Sequence, residues 1–402
     1  MKPIVVLGAG LAGLACARKL ASHGQKVLVV EAKSKVGGRV SSQRTETGFL
    51  VDEGFQVLLS SYPELNAVVS LQELELRPFN SGALIFNGQE LGLLANPFRH
   101  PGQIRRTLHF PDATLKDKFL VAYLMLTSQR HREDQPLGHQ STLDFLKSFG
   151  FSSQFIENFW IPFLSGVYLD PTLSIGSDFF RFLIRCFGWG QVCLPEEGME
   201  QLPIQIASQL PPDALRLNSK AHSWTDKEVT LDSGEKIEAA QVICAFDQRE
   251  QNSSENPVFR KVTTYYFTSP QLNGLGWEKW LILVPPRLGM TITHMALVSS
   301  VSEHYGADQK PLLSVSVTGI KKSDGSLVAH EVEKIARKSL SLEWVATTEV
   351  TRALPIISEE GAGFEVKEGV IVCGDRYASP SINGALRSGR LAAQSCLEKL
   401  SG

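Results

Sequence analysis

Ile4-Val5-Val6-Leu7-Gly8-Ala9-Gly10-Leu11-Ala12-Gly13 is the stretch that decides the fold of this chain. An apolar run typical of a buried strand ends in the pattern Gly-x-Gly-x-x-Gly, and this pattern opens a helix of small residues. Gly8 permits a tight turn, Gly10 lets the backbone approach a pyrophosphate, and Gly13 lets the helix pack closely on the strands. We therefore predict a dinucleotide-binding βαβ unit at residues 2–30.

A carboxylate follows the second apolar run of this unit. Lys26 to Val30 is predicted as a strand, and Glu31 stands directly after it. A carboxylate at this place accepts hydrogen bonds from both ribose hydroxyls and repels the additional phosphate of NADP. The amide groups of Leu11 and Ala12, in the first turn of the helix, would face the pyrophosphate of the same nucleotide.

The composition limits the classes of function. A chain of 402 residues is too long for one ordinary hydrophobic core, so we expect two lobes. Its 40 basic and 42 acidic side chains leave a formal net charge of −2, which argues against a nucleic acid partner. The six cysteines form no C-x-x-C pair and have no histidine at zinc spacing, so no metal site is predicted.

Hydropathy and cysteine usage indicate the compartment. The longest continuous apolar run after the first strand, Phe119 to Leu126, is far shorter than the roughly 20 residues that cross a bilayer. Scattered cysteines fit buried thiols in a reducing compartment. We expect a cytoplasmic protein, with membrane association as a possible addition.

A second glycine pair lies downstream of Glu31. Gly37 and Gly38 bring backbone close to a ligand, and Arg39 can neutralise a phosphate. Together with Glu31 and Ala32 they form the element E-A-x-x-x-x-G-G-R. Here the chain resembles the flavin-containing amine oxidase superfamily, which also holds protoporphyrinogen oxidases and phytoene desaturase-type carotenoid enzymes. The resemblance implies FAD rather than NAD.

Three further stretches carry the same resemblance. Residues 51–56 are similar to the family's D-x-G segment beside the flavin, which here contains Gly54, Phe55 and Gln56. Residues 370–375 resemble the closing strand and its G-D element, which implies that Gly374 lies by the cofactor and that Asp375 bonds the ribityl chain. The following helix would point its N-terminal amides at the flavin pyrimidine edge, and the contacts implied there are Ser381, Ile382, Asn383 and Ala385.

The middle of the chain resembles the family less. Residues 194–202 are similar to the P-x-G-G-M-x-x-L turn of desaturase-type chains, with Glu197 in place of the first glycine. Ala221 stands where family members usually carry a valine near the adenine. No S-G-G-C segment precedes Leu354-Pro355, so we expect the FAD to be bound non-covalently.

The pattern of elements predicts an α/β fold, in which a Rossmann-type FAD-binding domain is interleaved with an α+β substrate domain. Helix-like aromatic segments begin near residue 76, and short strands follow between Leu215 and Ala245. The predicted FAD-binding segments are 1–75, 194–255 and 346–402. The predicted substrate-domain segments are 76–193, mainly helical, and 256–345, mainly β-sheet.

Few catalytic side chains are expected, because a flavin accepts the hydride at N5 while the protein orients the substrate. Lys261 is the single candidate, since residues 261–266 resemble the strand on which amine oxidases place a lysine near flavin N5. The alternative is an ordinary exposed strand lysine.

The substrate must be inferred from the second lobe, which is rich in apolar and aromatic residues between Phe155 and Trp189. Amine oxidases of the family place a tyrosine where this chain has Ser381, so an aromatic cage for an amine is incomplete. We therefore expect dehydrogenation of a hydrophobic molecule, an isoprenoid or carotenoid-like polyene or a porphyrinogen, with oxygen or a quinone as acceptor. An amine oxidase and a non-catalytic flavin-binding protein remain the alternatives.

One stretch of the helical segment combines basic and apolar side chains. It predicts either peripheral contact with a membrane, where a lipophilic substrate resides, or a solvated loop. Its residues are Phe98, Arg99, Ile104, Arg105, Arg106, Leu108 and Phe110.

Overall fold

The structure, a computed structural model, describes residues 2–132, 140–247, 259–319, 324–357 and 362–401. The predicted domain boundary at residues 255 and 256 lies outside these ranges. Among the described residues there is no helix with the length and apolar character needed to cross a membrane.

The strands, in chain order, are β1 (Ile4–Leu7), β2 (Val27–Val30), β3 (Ser42–Arg44), β4 (Leu50–Asp52), β5 (Leu58–Leu59), β6 (Leu76–Pro78), β7 (Gly82–Phe86), β8 (Leu91–Ala95), β9 (Val192–Pro195), β10 (Leu215–Arg216), β11 (Ala221–Trp224), β12 (Glu228–Leu231), β13 (Lys236–Glu238), β14 (Gln241–Cys244), β15 (Phe259–Thr268), β16 (Leu281–Leu283), β17 (His294–Leu297), β18 (Leu313–Thr318), β19 (Glu343–Pro355), β20 (Phe364–Lys367) and β21 (Val370–Cys373). The helices are α1 (Leu11–Ser22), α2 (Leu65–Val68), α3 (Ile104–Leu108), α4 (Leu115–Thr127), α5 (Thr142–Phe149), α6 (Ser153–Phe155), α7 (Ile161–Tyr168), α8 (Ser177–Trp189), α9 (Gln201–Ala207), α10 (Val298–Val301), α11 (Gly325–Ala336) and α12 (Ile382–Ser401).

A six-stranded sheet in the order β10-β2-β1-β14-β21-β20 forms one half of the molecule. Its strands are parallel, except that the edge strand β20 runs antiparallel to β21. The central strands are continuous apolar runs because both faces of a parallel sheet are covered, and every residue of β1, β14 and β21 is buried. Helices α1 and α12 pack against each other beside this sheet.

A seven-stranded mixed sheet in the order β19-β15-β18-β17-β16-β7-β8 forms the second half. Side chains alternate between its two faces. One face packs Tyr265, Phe267 and Val315 against the apolar side of α11. The other face carries polar side chains, among them Thr264, and it contacts α7 and the loop after β4.

The helical segment between β8 and β9 packs around a cluster of aromatic rings. Phe155, Trp160 and Phe180 are fully or almost fully buried, and Trp160 meets the edge of Phe180 at 5.4 Å between ring centroids. A turn of π-helix, Ile156–Trp160, leads directly into α7. These rings fill the core of the helical segment.

The α/β class and the Rossmann-type sheet are confirmed by this architecture. The division into five segments stays a prediction. Strand β19 crosses the last of the predicted boundaries. This strand runs without a break from Glu343 to Pro355, across the predicted boundary at residues 345 and 346. It stays in the seven-stranded sheet because β15 pairs with it from Thr268 to Phe259.

Candidate functional site

The turn between β1 and α1 has the geometry that the glycine pattern predicts. Gly8 adopts a φ of 101°, in the region that favours glycine. A Cβ at Gly13 would lie 2.0 Å from the Gly8 carbonyl oxygen, so only glycine fits there. Gly10 precedes α1, and no side chain of the described residues caps this helix. The first turn of α1 contains no acidic residue. The first amides of α1, at Leu11, Ala12 and Gly13, therefore present positive partial charge to an anion.

The Gly37-Gly38 loop lies directly against this turn. Gly37 donates its amide hydrogen to the Ala9 carbonyl oxygen at 2.8 Å, and its φ is 111°. A Cβ at Gly38 would come within 3.3 Å of the Gly10 Cα. In contrast, a Cβ at Gly10 would meet no described atom within 4 Å. The two glycine loops thus form a cradle, and the side of this cradle that is open to a ligand consists of backbone atoms.

Glu31 is fixed at the end of β2 by main-chain hydrogen bonds. Its carboxylate accepts the amide hydrogens of Ala9 at 2.7 Å and Lys33 at 2.9 Å. Its carbonyl accepts the Ser219 amide, and Ala221 starts β11 two residues later. Each carboxylate oxygen keeps a lone pair for a ribose hydroxyl, while Ala32, the next residue, is exposed.

Arg39 and Asp375 form a bidentate ion pair that joins two distant parts of the chain. The two guanidinium-to-carboxylate distances are 2.9 and 2.6 Å, and Arg39 also donates to the Ala353 carbonyl oxygen at 3.1 Å. We predicted Arg39 beside a phosphate and Asp375 beside the ribityl chain. The structure pairs these side chains with each other, and 40% of the Arg39 side chain stays exposed for a further contact.

The Gly54-Phe55-Gln56 segment lies between the two large sheets. The Gly54 amide donates to Thr348 Oγ1 at 3.1 Å, and the Phe55 amide donates to Thr264 Oγ1 at 3.3 Å. Gln56 donates through Nε2 to the Arg39 carbonyl oxygen at 2.7 Å. This segment therefore connects the glycine cradle to the polar face of the seven-stranded sheet.

The start of α12 is organised by its own side chains. Ser381 caps the helix, since its Oγ accepts the Gly384 amide hydrogen at 2.9 Å. The Asn383 side chain is almost fully buried and accepts the Glu64 amide hydrogen at 3.0 Å, while Ile382 is half-buried and Ala385 is buried. Ahead of the helix, Gly374 has a φ of 149°, and a Cβ there would meet no atom of the described chain within 4 Å.

Lys261 lies at an irregularity of the sheet, between Arg260 and Val262, and its side chain is exposed. The strand residues that contact the Gly54-Phe55 segment and its neighbour Asp52 are Val262, Thr264 and Tyr266. The exposed position agrees with the alternative of an ordinary strand lysine. A catalytic role for Lys261 stays a prediction.

Asp52 is the centre of a buried network to which we assigned no role from the sequence. Its carboxylate accepts hydrogen bonds from Ser42 Oγ at 2.5 Å, Tyr305 OH at 2.6 Å and the Met199 amide at 3.1 Å. The Tyr266 hydroxyl donates to the Asp52 carbonyl oxygen at 2.9 Å. Burial raises the pKa of Asp52 to about 6, although the hydrogen bonds to its carboxylate lower it. The D-x-G motif marks Asp52, whereas its partners have no local sequence signal.

A row of polar side chains crosses four neighbouring strands on the face that meets the Phe55 segment. Register places Thr348 beside Thr264, Thr264 beside Ser316, and Ser316 beside His294. All four residues are buried. The row supplies the hydroxyls that hold the Gly54 and Phe55 amides, and it ends in an imidazole.

His294 is the residue of this row that sequence patterns missed. It is 4% exposed, its ring lies 5.1 Å from that of Phe55, and its Nδ1 has no hydrogen-bond partner among the described residues. A Cβ on Gly166 of α7 would lie 2.9 Å from that nitrogen. Burial lowers the pKa of His294 to about 4, so the ring is neutral near pH 7. A single histidine in an apolar strand gives no signal that distinguishes it from a core residue.

The rest of the described chain offers no competing chemistry. Its residues contain no group of three or more His, Cys, Asp or Glu side chains placed to hold a metal ion. A surface depression of about 520 Å³, lined by Tyr265, Phe267 and Trp344 among others, lies on the opposite face of the seven-stranded sheet. It includes none of the predicted cofactor contacts.

Comparison with known proteins identifies a family and several similar proteins. A sequence profile of the family described as flavin containing amine oxidoreductase matches residues 11–340. The chain is 33% identical over 85 residues to a 15-cis-phytoene desaturase of Synechococcus elongatus, which covers 21% of this chain and 18% of that protein. It is 35% identical over 101 residues to protoporphyrinogen oxidase 2 of Arabidopsis thaliana, covering 24% and 20% respectively.

The chain therefore matches about a fifth of the length of these two curated relatives. Similarity to solved structures extends further. A putrescine oxidase bound to putrescine superposes with a TM-score of 0.70 over 99% of both chains, at 17% sequence identity. At that identity the likeness shows the fold.

Proposed function

The chain belongs to the flavin-containing amine oxidoreductase family, and we propose that it is an oxidoreductase that binds FAD non-covalently and dehydrogenates a hydrophobic small molecule. The substrate class that we propose is an isoprenoid or carotenoid-like polyene or a porphyrinogen, with oxygen or a quinone as the electron acceptor. When bound, the flavin supplies the hydride acceptor, and the protein supplies binding, orientation and exclusion of water.

The observation that carries the cofactor proposal is the convergence of both ends of the chain at the N-terminus of α1. Gly10 and Gly38 lie against each other at this uncapped helix start, and Arg39, the residue after Gly38, pairs with Asp375, 336 residues further along the chain. Helix amides and an arginine favour the pyrophosphate. The Glu31 carboxylate follows β2, which is separated by β1 and β14 from the strand before Asp375, and it favours the ribose of the adenosine.

The preference for an apolar substrate rests on the start of α12. Ser381 caps this helix where amine oxidases of the family place a tyrosine, so no aromatic cage for an amine forms there.

The cofactor proposal is tested by a pair of matched variants. Arg39→Ala should lower the affinity for FAD at least tenfold, because it removes a charge from the phosphate end of the cradle and leaves Asp375 unpaired. Arg390→Ala is the control: Arg390 forms a bidentate pair with Glu64, and its side chain is 37% exposed, against 40% for Arg39. FAD affinity is measured by flavin fluorescence. Equal losses in both variants would show a general effect of breaking an ion pair and would contradict the assignment.

The substrate proposal is tested by anaerobic reduction of the bound flavin. Polyenes, porphyrinogens and amines are offered in turn, and loss of the oxidised flavin absorbance is followed. We expect bleaching by a polyene or porphyrinogen and reoxidation by oxygen or a quinone. Bleaching by amines alone would select the amine oxidase. A flavin that no compound of the panel reduces would favour the non-catalytic flavin-binding protein.

A further inference from the structure

The surface formed by residues 98–126 exposes an unusual concentration of large apolar side chains. Seven of the thirteen large hydrophobic residues exposed in the described chain lie in this stretch. Phe98 is 91% exposed, Leu115 75%, Phe119 69% and Leu126 66%, and the other three are Ile104, Leu108 and Tyr123. We call this region, which contains α3 and α4, the α3–α4 surface. A concentration of exposed apolar side chains of this kind marks an interaction site rather than ordinary surface.

Helix α4 directs its apolar side outward. At about 100° per residue, Leu115, Phe119 and Leu126 lie within about 40° of one another. Asp117 and Leu124, on the opposite side of the helix, are fully buried. Most surface helices show the reverse distribution, with the apolar side facing the core. The outward apolar stripe is therefore a distinct feature of this helix.

The buried side of α4 is firmly attached to the protein. Thr114 and Asp117 form a capping box at its N-terminus. The same Asp117 carboxylate accepts hydrogen bonds from the Ser152 amide and hydroxyl, both at 2.8 Å. Lys118 donates to the Leu108 carbonyl oxygen at 2.7 Å, which ties α4 to the end of α3. The apolar stripe is thus held at the surface by polar contacts on the other side of the helix.

The exposed charged side chains of this stretch are basic. Residues 98–126 contain five lysines and arginines and two acids, Asp112 and Asp117, and both acids are buried. The whole chain, in contrast, has a formal net charge of −2. Lys116 lies beside the stripe on α4 and is exposed, so its long side chain can extend toward a charged boundary. The α3–α4 surface therefore combines exposed apolar groups with a local excess of positive charge.

We propose that the α3–α4 surface docks on an anionic lipid bilayer. Apolar side chains would enter the headgroup boundary, and the basic residues would meet the lipid phosphates. A second copy of the chain is a poorer occupant, because pairing two such surfaces would bring like charges together. This inference concerns where the protein binds, and it does not depend on the substrate proposed above.

The first experiment measures cosedimentation of the full FAD-loaded protein with vesicles. One set is pure phosphatidylcholine, and the other contains about one third phosphatidylglycerol, whose negative charge attracts basic segments. We expect binding to the anionic vesicles, at least tenfold weaker binding to the zwitterionic ones, and release by salt. Failure to bind anionic vesicles at low salt would overturn the proposal.

Variants then locate the contact. The triple variant Leu115→Ser, Phe119→Ser, Leu126→Ser should lose at least tenfold in vesicle affinity. The double variant Arg105→Gln, Arg106→Gln should lose about 30-fold, since each basic residue near an anionic surface contributes about 1 kcal/mol. The matched control is Trp344→Ser with Val366→Ser, which removes exposed apolar side chains elsewhere. All of these side chains are exposed, so flavin content and the melting temperature should stay unchanged.

The outcomes separate the possible occupants. Loss of binding in the α3–α4 variants, with normal binding of the control, supports the proposal. Equal loss in the control would show that the contact is not specific to this surface and would overturn it. Sedimentation velocity without lipid gives the remaining test: a dimer that the triple variant abolishes, together with no vesicle binding, would assign the surface to a second copy.

Discussion

His294 is the single residue whose surroundings most directly suggest a role in the reaction. It is a neutral, buried imidazole at the end of a polar row, and it packs against Phe55 in the segment predicted to lie beside the flavin. An unsatisfied buried nitrogen costs free energy unless it finds a partner. Its Nδ1 lies against Gly166 of α7 and not at an open surface, so His294 acts on the site through its packing on Phe55, and we treat it as a positioning residue.

Replacement of His294 by phenylalanine should separate orientation from cofactor binding. His294→Phe keeps a ring of similar shape but removes the nitrogens, so flavin reduction should slow about tenfold or more while FAD affinity stays unchanged. His294→Gln, which retains a hydrogen-bonding group, should recover part of the rate. Stopped-flow reduction and FAD titration measure the two effects. A full rate in the phenylalanine variant would limit His294 to a structural role.

The same residue predicts a pH dependence of stability. The pKa of His294 is lowered to about 4 in the folded protein, while the unfolded chain takes up this proton near pH 6.5. Stability from this group is complete above pH 6.5 and is lost as the pH falls toward 4, by about 3 kcal/mol. Urea unfolding of His294→Phe should lack this acid-sensitive component. The exposed His222 offers a control, since His222→Gln should follow the parent protein.

At the scale of elements, the contact between α1 and α12 connects the two ends of the chain. A Cβ added at Gly389 would lie 2.0 Å from the Ala12 carbonyl oxygen. The backbones of the two helices therefore touch through a glycine. Because α1 begins at the glycine cradle, a shift of α12 would move the groups that are proposed to hold the pyrophosphate.

Gly389→Ala should consequently destabilise the protein by about 1–3 kcal/mol, as overpacking does in close contacts, and it should also weaken FAD binding. Gly188 is a matched control, because it is helical and a Cβ there would meet no described atom within 4 Å. Gly188→Ala should be neutral or stabilising by up to about 1 kcal/mol. Thermal melts with and without FAD measure both effects. Equal melting temperatures for the two variants would refute the contact.

Local sequence patterns predicted some elements well and others only in part. The small residues from Leu11 to Ser22, followed by Gly24, predict a helix with the bounds that α1 has, because these start and stop signals are local. The amphipathic pattern near Val328 to Ser341 predicts a helix, but α11 begins and ends earlier, since Asp324 caps it and Arg337 adopts a left-handed φ of 54°. The Arg39–Asp375 pair was beyond local patterns, because it forms only when the last strand joins the sheet.

At the scale of the whole molecule, Asp52 links parts that the sequence keeps far apart. Its partners come from β3, from the turn before α9, and from Tyr266 and Tyr305 in the second half of the chain. The N-terminal and C-terminal halves of the chain therefore share one buried hydrogen-bond network centred on Asp52. No pattern in the sequence predicts these partners, because each tyrosine is spaced like an ordinary core residue.

Asp52→Asn should change how stability depends on pH. The folded pKa of about 6 lies above the ordinary 3.8, so the protonated carboxyl favours the fold. This contribution is complete below pH 3.8 and is lost as the pH rises through about 6, in the direction opposite to that of His294. The stability of the asparagine variant relative to the parent should therefore rise by about 2 kcal/mol between pH 4 and 7.

Urea unfolding at pH 4 and pH 7 checks this prediction. The substitution also removes a hydrogen-bond acceptor, and the stability lost in this way is the same at both pH values. Asp232→Asn is the control, since that carboxylate is about half exposed and pairs with Lys220 at the surface. A constant difference between Asp52→Asn and the parent protein across this pH range would contradict the assignment of the raised pKa.

The order of strands in the six-stranded sheet also affects biosynthesis. Strand β1 hydrogen-bonds β14, and β14 hydrogen-bonds β21, so the sheet closes over most of the chain length. At about 5–20 residues per second, the ribosome makes β21 on the order of tens of seconds after β1. During that interval the nascent βαβ unit exposes an apolar strand edge. Translation speed and chaperone supply should therefore determine how much of this protein is recovered in folded form.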